Sequence, residues 1–427
     1  MGKENDNEKV KEQRVNKEVC VTYLNKMMAA SRELEQLIKD NQVEQCLNTL
    51  LPMLQNMKKF INGVQELQRN GIYQELTLPD MYDPLTTFME IFSRGEVIAA
   101  AQLILTSMRP RVEDWQQKLT TPPVVGLVFS KDRAMQLDAT LHSFYMRCQD
   151  PKLVQMKVLY LATGEQQRQQ YQVLQQDYPE VTFVEEKNFK EQALSLQNNH
   201  QYVLFLVDDN LFVRDFSIQP MIDALGKYPD TLGFSLRLGW NAVYCYTQCC
   251  LQKVPPFEEI ENGAIIYDWT QAEYDFGYCL EISSSLYRIA DLKILLQQLP
   301  FSNPNTLESL LSLQRGRFSD QRRLLCNKFT ITFCTPINRV QGVYANDSGR
   351  IFSYSIEELS DKFSQGYRID VEKYKNYLPM ACHEEVKLYF VHRIAKEPQQ
   401  VSDHATVAST RSEVTKVEVI NTPKING

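Results

Sequence analysis

Two adjacent carboxylates, Asp208 and Asp209, close the hydrophobic run Tyr202–Val207 and are followed by Asn210. Like charges side by side repel unless a cation lies between them, so the pair reads as the seat of a divalent metal carrying a phosphorylated ligand. The plainer reading is turn chemistry, since Asp and Asn both favour the turn after a strand. Position argues for the first. An uninterrupted apolar run suits a strand buried on both faces of a parallel sheet. Open α/β sheets bind ligands beyond the carboxyl ends of such strands.

Other clusters of reactive residues are weaker. Cys245-Tyr-Thr-Gln-Cys249-Cys250 lacks the second pair of ligands that structural zinc requires, and the other cysteines are scattered through apolar or mixed segments, as reduced structural thiols are. His383-Glu-Glu has no second histidine four residues on, and a chain with 5 histidines has little material for a His-rich metal centre. No Gly-x-x-x-x-Gly-Lys-Ser/Thr loop, Gly-x-Gly-x-x-Gly turn or Gly-x-Ser-x-Gly elbow occurs. These absences disfavour P-loop hydrolysis, dinucleotide redox chemistry and the α/β-hydrolase mechanism.

The elements that must position the acidic pair follow from periodicity. Thr121-Pro122-Pro123 marks a boundary, after which Val124–Phe129 reads as a strand and Leu137–Phe144 as part of a helix. Met156–Leu161 and Val181–Val184 are further strands, with a Gln-rich helix between them, and a helical segment leads into Tyr202–Val207. Strands alternating with helices at this spacing predict a parallel α/β sheet. Later strands are expected near Gly233–Leu236 and Phe329–Phe333, in a domain covering 121–395. Before it, 18–120 is helical, with apolar stripes at Leu34, Leu37, Ile38 and at Leu47, Leu50, Leu51, Leu54. That region reads either as a partner-binding or self-associating bundle or as a helical cap. The polar residues 1–17 are expected to be a disordered leader, and 396–427 a disordered tail.

Composition bounds the setting. A chain of 427 residues with 43% hydrophobic content has ample core for two or three domains. A net charge of -7 disfavours nucleic acid as a partner. No apolar run has the length of a membrane span and no signal-peptide pattern opens the chain, so a cytoplasmic location is expected.

Taken together, Val124–Phe129 with Ser130-Lys-Asp132-Arg133, then Phe205-Leu-Val-Asp208-Asp209-Asn210, resemble a GT-A glycosyltransferase of the family-2-like bacterial nucleotide-sugar group. The resemblance continues through Phe234–Gly239, Asp268-Trp269, Gly277–Glu281, Ser285–Arg288, Asn303–Glu308 and Ile337–Gln341. It implies a GT-A fold (Rossmann-like, mainly parallel sheet with helices on both faces) and transfer from a UDP- or GDP-sugar to an unknown acceptor. It further implies that Ser130, Asp132, Arg133, Asp208 and Arg237 bind the nucleotide sugar, with Arg133 facing the pyrophosphate or pairing with Asp132. Asp208 and Asp209, joined by His383, would hold Mn2+ or Mg2+, although Asn210 stands where a second Asp would complete the spaced motif. An inverting enzyme needs a carboxylate base. Glu308, opening a helix that Thr306 caps, is the first candidate and Glu281 the competitor. Trp240, Trp269 and Tyr278 are the aromatics expected at an acceptor site. Two other readings stay open: a catalytically inactive nucleotide- or partner-binding scaffold of the same fold, and a phosphotransferase using the Asp pair.

Overall fold

A computed structural model describes residues 2–69, 82–339 and 348–393. The chain divides into two compact units, Met1–Thr121 and Pro122–Gly427. The tail expected from 396 lies outside the described residues.

The first unit is helical: α1 (Gly2–Lys39), α2 (Val43–Arg69), α3 (Tyr82–Ser93), α4 (Val97–Leu103) and α5 (Arg109–Thr120), with a π-helical turn at Ile104–Met108. The segment expected as a leader is the opening of α1, because its Lys, Glu, Gln and Arg are good helix formers with no proline among them. Buried positions alternate four and three apart, at Cys20, Leu24, Met27, Ser31 and Leu34 on α1 and at Cys46, Leu50, Met53, Met57, Phe60, Val64 and Leu67 on α2. That is the seam of a coiled-coil-like hairpin, turned at Asn41 with φ 51°. The expected stripe meets it only in part: Leu34 and Leu50 are buried on the seam, Leu51 is 47% exposed, and Met and Cys take many of the other core positions. The helices approach closely at Gly63, where a Cβ would meet Cys20 Sγ at 2.7 Å.

The second unit opens with the alternation expected: β1 (Val124–Lys131), α6 (Ala134–Arg147), β2 (Val154–Leu161), α7 (Glu165–Asp177), β3 (Thr182–Glu185), α8 (Phe189–Ser195) and β4 (Tyr202–Val207). Next come β5 (Asn210–Phe212), α9 (Gln219–Lys227), β6 (Thr231–Ser235), the hairpin β7 (Tyr244–Cys245) and β8 (Cys250–Leu251), then β9 (Glu258–Glu259) and β10 (Ala264–Asp268). They lead to α10 (Tyr274–Gly277), β11 (Ser285–Arg288), α11 (Ile289–Gln298), α12 (Pro304–Leu313), β12 (Arg323–Asn327) and β13 (Thr332–Cys334). Finally α13 (Ile356–Ser364), β14 (Tyr367–Ile369) and β15 (Phe390–His392) complete the unit.

Nine strands form the central sheet in the order β3-β2-β1-β4-β11-β6-β12-β10-β9. It is α/β and largely parallel on one side, but β11 runs antiparallel to β4 and β6, and β10 antiparallel to β12. Successive side chains of one strand feed opposite cores: Leu204 and Leu206 of β4 join one cluster, Val203 and Phe205 the other. This is the two-faced burial expected of that run. The strand expected at Phe329–Phe333 is displaced. The central strand is Arg323–Asn327, and Thr332–Cys334 pairs instead with β5 outside the main sheet.

Candidate active site

Strand direction gathers the site. The carboxyl ends of β1, β4 and β6 and the amino end of β11 share one edge of the sheet. Parallel pairing of Phe129 with Val207 sets Ser130 beside Asp208, whose N–H donates to Phe129 O at 3.1 Å. Asp208 and Asp209 form the tight turn from β4 into β5. Asn210 closes that turn, its Oδ1 accepting from Val207 N–H at 2.9 Å while its amide reaches Cys334 Sγ. Asn210 is therefore a buried turn lock rather than a vacancy in a ligand set.

The cation between the two carboxylates is a guanidinium. Arg133 meets Asp208 Oδ1 at 2.9 Å and Asp209 Oδ2 at 3.1 Å. The other oxygen of Asp208 accepts from Ser130 Oγ at 2.9 Å and Lys131 N–H at 3.2 Å. Burial pushes the Asp208 carboxyl up to about 6 against the pull of Arg133. Asp132, at φ 54°, turns away and accepts from Thr163 N–H and Oγ1 at 2.7 and 2.8 Å. So Arg133 pairs with the acidic turn, and Asp132 fastens the end of β2.

Arg237 follows β6 and is 2% exposed. Its Nη1 donates to Ser283 Oγ at 3.3 Å and its Nε lies 3.7 Å from Glu281 Oε1, while Nη2 is buried with no hydrogen-bond partner among the described residues. Glu281 is saturated: it accepts from Ser283 and Ser284 N–H and from the Ser283 and Ser285 hydroxyls. Burial raises its pKa, but Arg237 and these donors outweigh burial and hold it below the usual carboxylate range. A carboxylate held by four hydrogen bonds beside a guanidinium is a poor base, so Glu281 acts as the counter-ion of Arg237.

Glu308 differs. It lies in the second turn of α12, which is capped by a box between Asn303 and Thr306, so Asn303 and not Thr306 is the N-cap. Among the described residues it accepts one weak bond, from Ile282 N–H at 3.3 Å. Burial and the Glu281 charge, opposed by Arg237, raise its pKa to about 7. A carboxylate titrating there is matched to proton abstraction near neutral pH.

Arg133, Asp209, Arg237, Tyr278, Glu308 and His383 line one cavity of about 490 Å³. His383 arrives through a bridge to Cys334, and its Nδ1 is buried without a hydrogen-bond partner among the described residues. Burial, then Arg237, lowers its pKa, so the imidazole is neutral and able to ligate. Of the residues expected to hold a metal, Asp209 and His383 line the cavity, whereas both oxygens of Asp208 are engaged by Arg133, Ser130 and Lys131. Among the described residues no group of three or more His, Cys, Asp or Glu side chains is arranged to hold a metal.

Two expected acceptor aromatics stand elsewhere. Trp269 is in the core with its Nε1 donating to Gln321 O at 2.8 Å, and Trp240 packs against Phe329 and Lys328. Neither is among the residues lining the cavity; Tyr278 is. Sequence reasoning missed Asp275, Ser283, Asn305, Cys334 and the Thr247-Gln248 turn, all of which line it. Of these, Asn305 lay inside the marked run Asn303–Glu308 and the turn inside the cysteine cluster.

No family model matches the chain. It is 26% identical to the bifunctional glycosyltransferase pgtA of Dictyostelium discoideum, over 58% of this chain and 36% of that one. The chain thus spans about a third of the length of this curated relative, and the glycosyltransferase resemblance expected from the motifs is met there. Among solved structures, residues 1–349 of S. aureus TarS in complex with UDP-GlcNAc match 52% of this chain and 61% of theirs, at 15% identity and a TM-score of 0.32. The mannosyltransferase PcManGT from Pyrobaculum calidifontis, in complex with GDP-Man and Mn2+, matches 55% and 61% at 12% identity and a TM-score of 0.28. No helix among the described residues is long and apolar enough to cross a membrane.

Proposed function

We propose that the chain is a glycosyltransferase that moves a sugar from a UDP- or GDP-linked donor to an acceptor hydroxyl with inversion. The observation that carries this is the shared cavity, in which a lightly hydrogen-bonded carboxylate titrating near 7, Glu308, faces the same space as Arg133, Arg237 and Asp209. The similarity to pgtA supports it. Glu308 takes the proton of the acceptor hydroxyl as its oxygen attacks the anomeric carbon, and the bond to the nucleoside diphosphate breaks on the opposite face. Arg237 Nη2, which lacks a partner among the described residues, donates to a phosphate oxygen there, and Arg133 adds positive charge. Asp209 and His383 would hold Mn2+ or Mg2+, which would neutralise the charge of the departing diphosphate. Tyr278 offers the acceptor sugar a ring face.

We place this activity in the cytoplasm on the scattered, unpaired cysteines. Partner binding or self-association through the helical unit is favoured by the exposed Val43, Leu51 and Met89. A nucleotide-binding scaffold is the second reading, favoured by Arg133 already neutralising both carboxylates. Donor hydrolysis over a panel of UDP- and GDP-sugars with added manganese separates the two. A transferase should hydrolyse one donor slowly, with Asp209→Ala reducing the rate by about 100-fold or more. Nucleotide binding by calorimetry without any turnover leaves the scaffold, and neither binding nor turnover removes both.

A further inference from the structure

We propose that Cys245 and Cys250 form a thiol–disulfide couple, an oxidisable site built across the β7–β8 hairpin at the wall of the cavity. Independently of the transferase reading, the register makes the case. Cys245 pairs directly with Cys250, next to the pair Tyr244 and Leu251. Gln252 N–H donates to Val243 O at 2.9 Å on one side, and Cys249 N–H closes the turn on Tyr246 O at 3.2 Å on the other. Opposite residues of an antiparallel pair share a face with Cα atoms about 4.5–5.5 Å apart, inside the roughly 4.4–6.8 Å that a disulfide spans.

The surroundings fit the chemistry. Cys245 is buried in the hairpin yet lines the cavity, and Cys250 is half-buried with its sulfur against the Tyr274 hydroxyl, another cavity residue. The oxidant is a small disulfide of the glutathione type. The Cys250 thiolate attacks one of its sulfurs, forming a mixed disulfide and releasing one thiolate. Cys245 then loses its proton and attacks Cys250 Sγ, releasing the second. Two protein thiols are oxidised by two electrons, and one small disulfide is reduced to two thiols. Closure clamps the turn Tyr246–Cys249, whose Thr247 and Gln248 line the cavity. Cys249 is the competing thiol: it is exposed, and its sulfur lies 2.7 Å from Arg350 Nη1. It lies in the turn at φ 52°, with its sulfur against Arg350 and the Tyr244 hydroxyl.

The full chain and its Cys249→Ser variant are treated with oxidised glutathione, alkylated and cut with trypsin without reduction. One peptide, Leu238–Lys253, carries all the thiols in question. The expected result is a peptide two hydrogens lighter, with both remaining thiols of Cys249→Ser lost to alkylation and restored by dithiothreitol. In the unmutated chain only Cys249 should take the label, which keeps the test decisive should the variant misfold. Amide exchange across 246–248 should slow on oxidation. Full alkylation of Cys245 and Cys250, a persistent glutathione adduct, or a bond that includes Cys249 overturns the proposal.

Discussion

The two units bury different things. Of the described residues through Thr121, Ser31 is the one buried polar side chain, and the helical unit is held by an apolar seam and the stack of Phe60 on Trp115 at 5.0 Å. The α/β unit buries Asp138, Arg147, Asp208, Arg237, Asp275, Glu281, Arg368 and Glu385. Burying charge costs several kcal/mol per ion before pairing returns any of it, so each such group calls for a reason. Within the second unit the reasons divide. Asp138 on α6 is enclosed by Arg393 at 2.9 Å, the Tyr178 hydroxyl at 2.9 Å and Arg368 at 3.7 Å, and it lines no part of the cavity. Both clusters keep buried polar atoms without a partner among the described residues, Asp138 Oδ2 and Arg368 Nε in one and Arg237 Nη2 and His383 Nδ1 in the other. What separates them is access: Arg237, Glu308 and His383 line the cavity, where a ligand can complete the pairing, and Asp138 and Arg368 do not.

The sharpest way to break this comparison is at Glu308. Replacement by glutamine keeps the shape of α12 and removes the proton acceptor, so turnover should fall by roughly 10²–10⁴-fold with little change in melting temperature. Steady-state rates and a thermal melt on the same preparation check it. Unchanged turnover would return the base assignment to Glu281 or to a mechanism that needs none. The Asp138 cluster should behave inversely. Asp138→Ala leaves Arg393 and Arg368 without their shared acid and should cost about 3 kcal/mol of folding stability in a denaturant titration, while nucleotide affinity per folded molecule holds. A change in affinity without a change in stability would merge the two clusters.

The pH dependence is a smaller effect. A base must be ionised to act, so turnover should drop about tenfold per unit below pH 7 and level off above it, following the raised Glu308 pKa. Stability should move the other way. The folded state holds this proton more tightly than the unfolded chain, so the contribution is full below the ordinary glutamate value of 4.5 and is lost as pH rises through about 7. Asp208, raised to about 6, adds to the same trend. Glu308→Gln should remove the Glu308 part of the slope.

Legibility followed the same division. The strands Val124–Phe129 and Tyr202–Val207 could be read because burial on both faces leaves uninterrupted apolar runs, and Met156–Leu161 because Lys157 alone breaks its run. β12 could not, since Leu324, Leu325 and Cys326 are a short apolar core flanked by Arg323 and Asn327. Carboxylates at strand ends were legible through topology, and Glu308 through its turn and helix. Partner choice was not: whether Arg133 pairs with Asp132 or with the acidic turn depends on the positive φ at Asp132, which residue types do not reveal. Residue type also misled at Trp269, an aromatic whose N–H found a backbone carbonyl in the core.

The smallest expected effect tests the helical half of the comparison. Leu50 and Leu51 both belonged to the stripe expected from large aliphatic residues, yet Leu50 lies on the seam with Cys46, Met53 and Met57 while Leu51 is 47% exposed on α2. Leu51→Gln should therefore change folding stability by no more than about 0.5 kcal/mol, as surface substitutions do. Met57→Ala on the seam should cost about 2 kcal/mol or more through lost burial and the cavity left behind. The two residues lie six apart on one helix, so propensity and distance from the ends barely differ. A large loss at Leu51 would mean that another surface covers that face, and size-exclusion chromatography of the variant would then read a change of assembly.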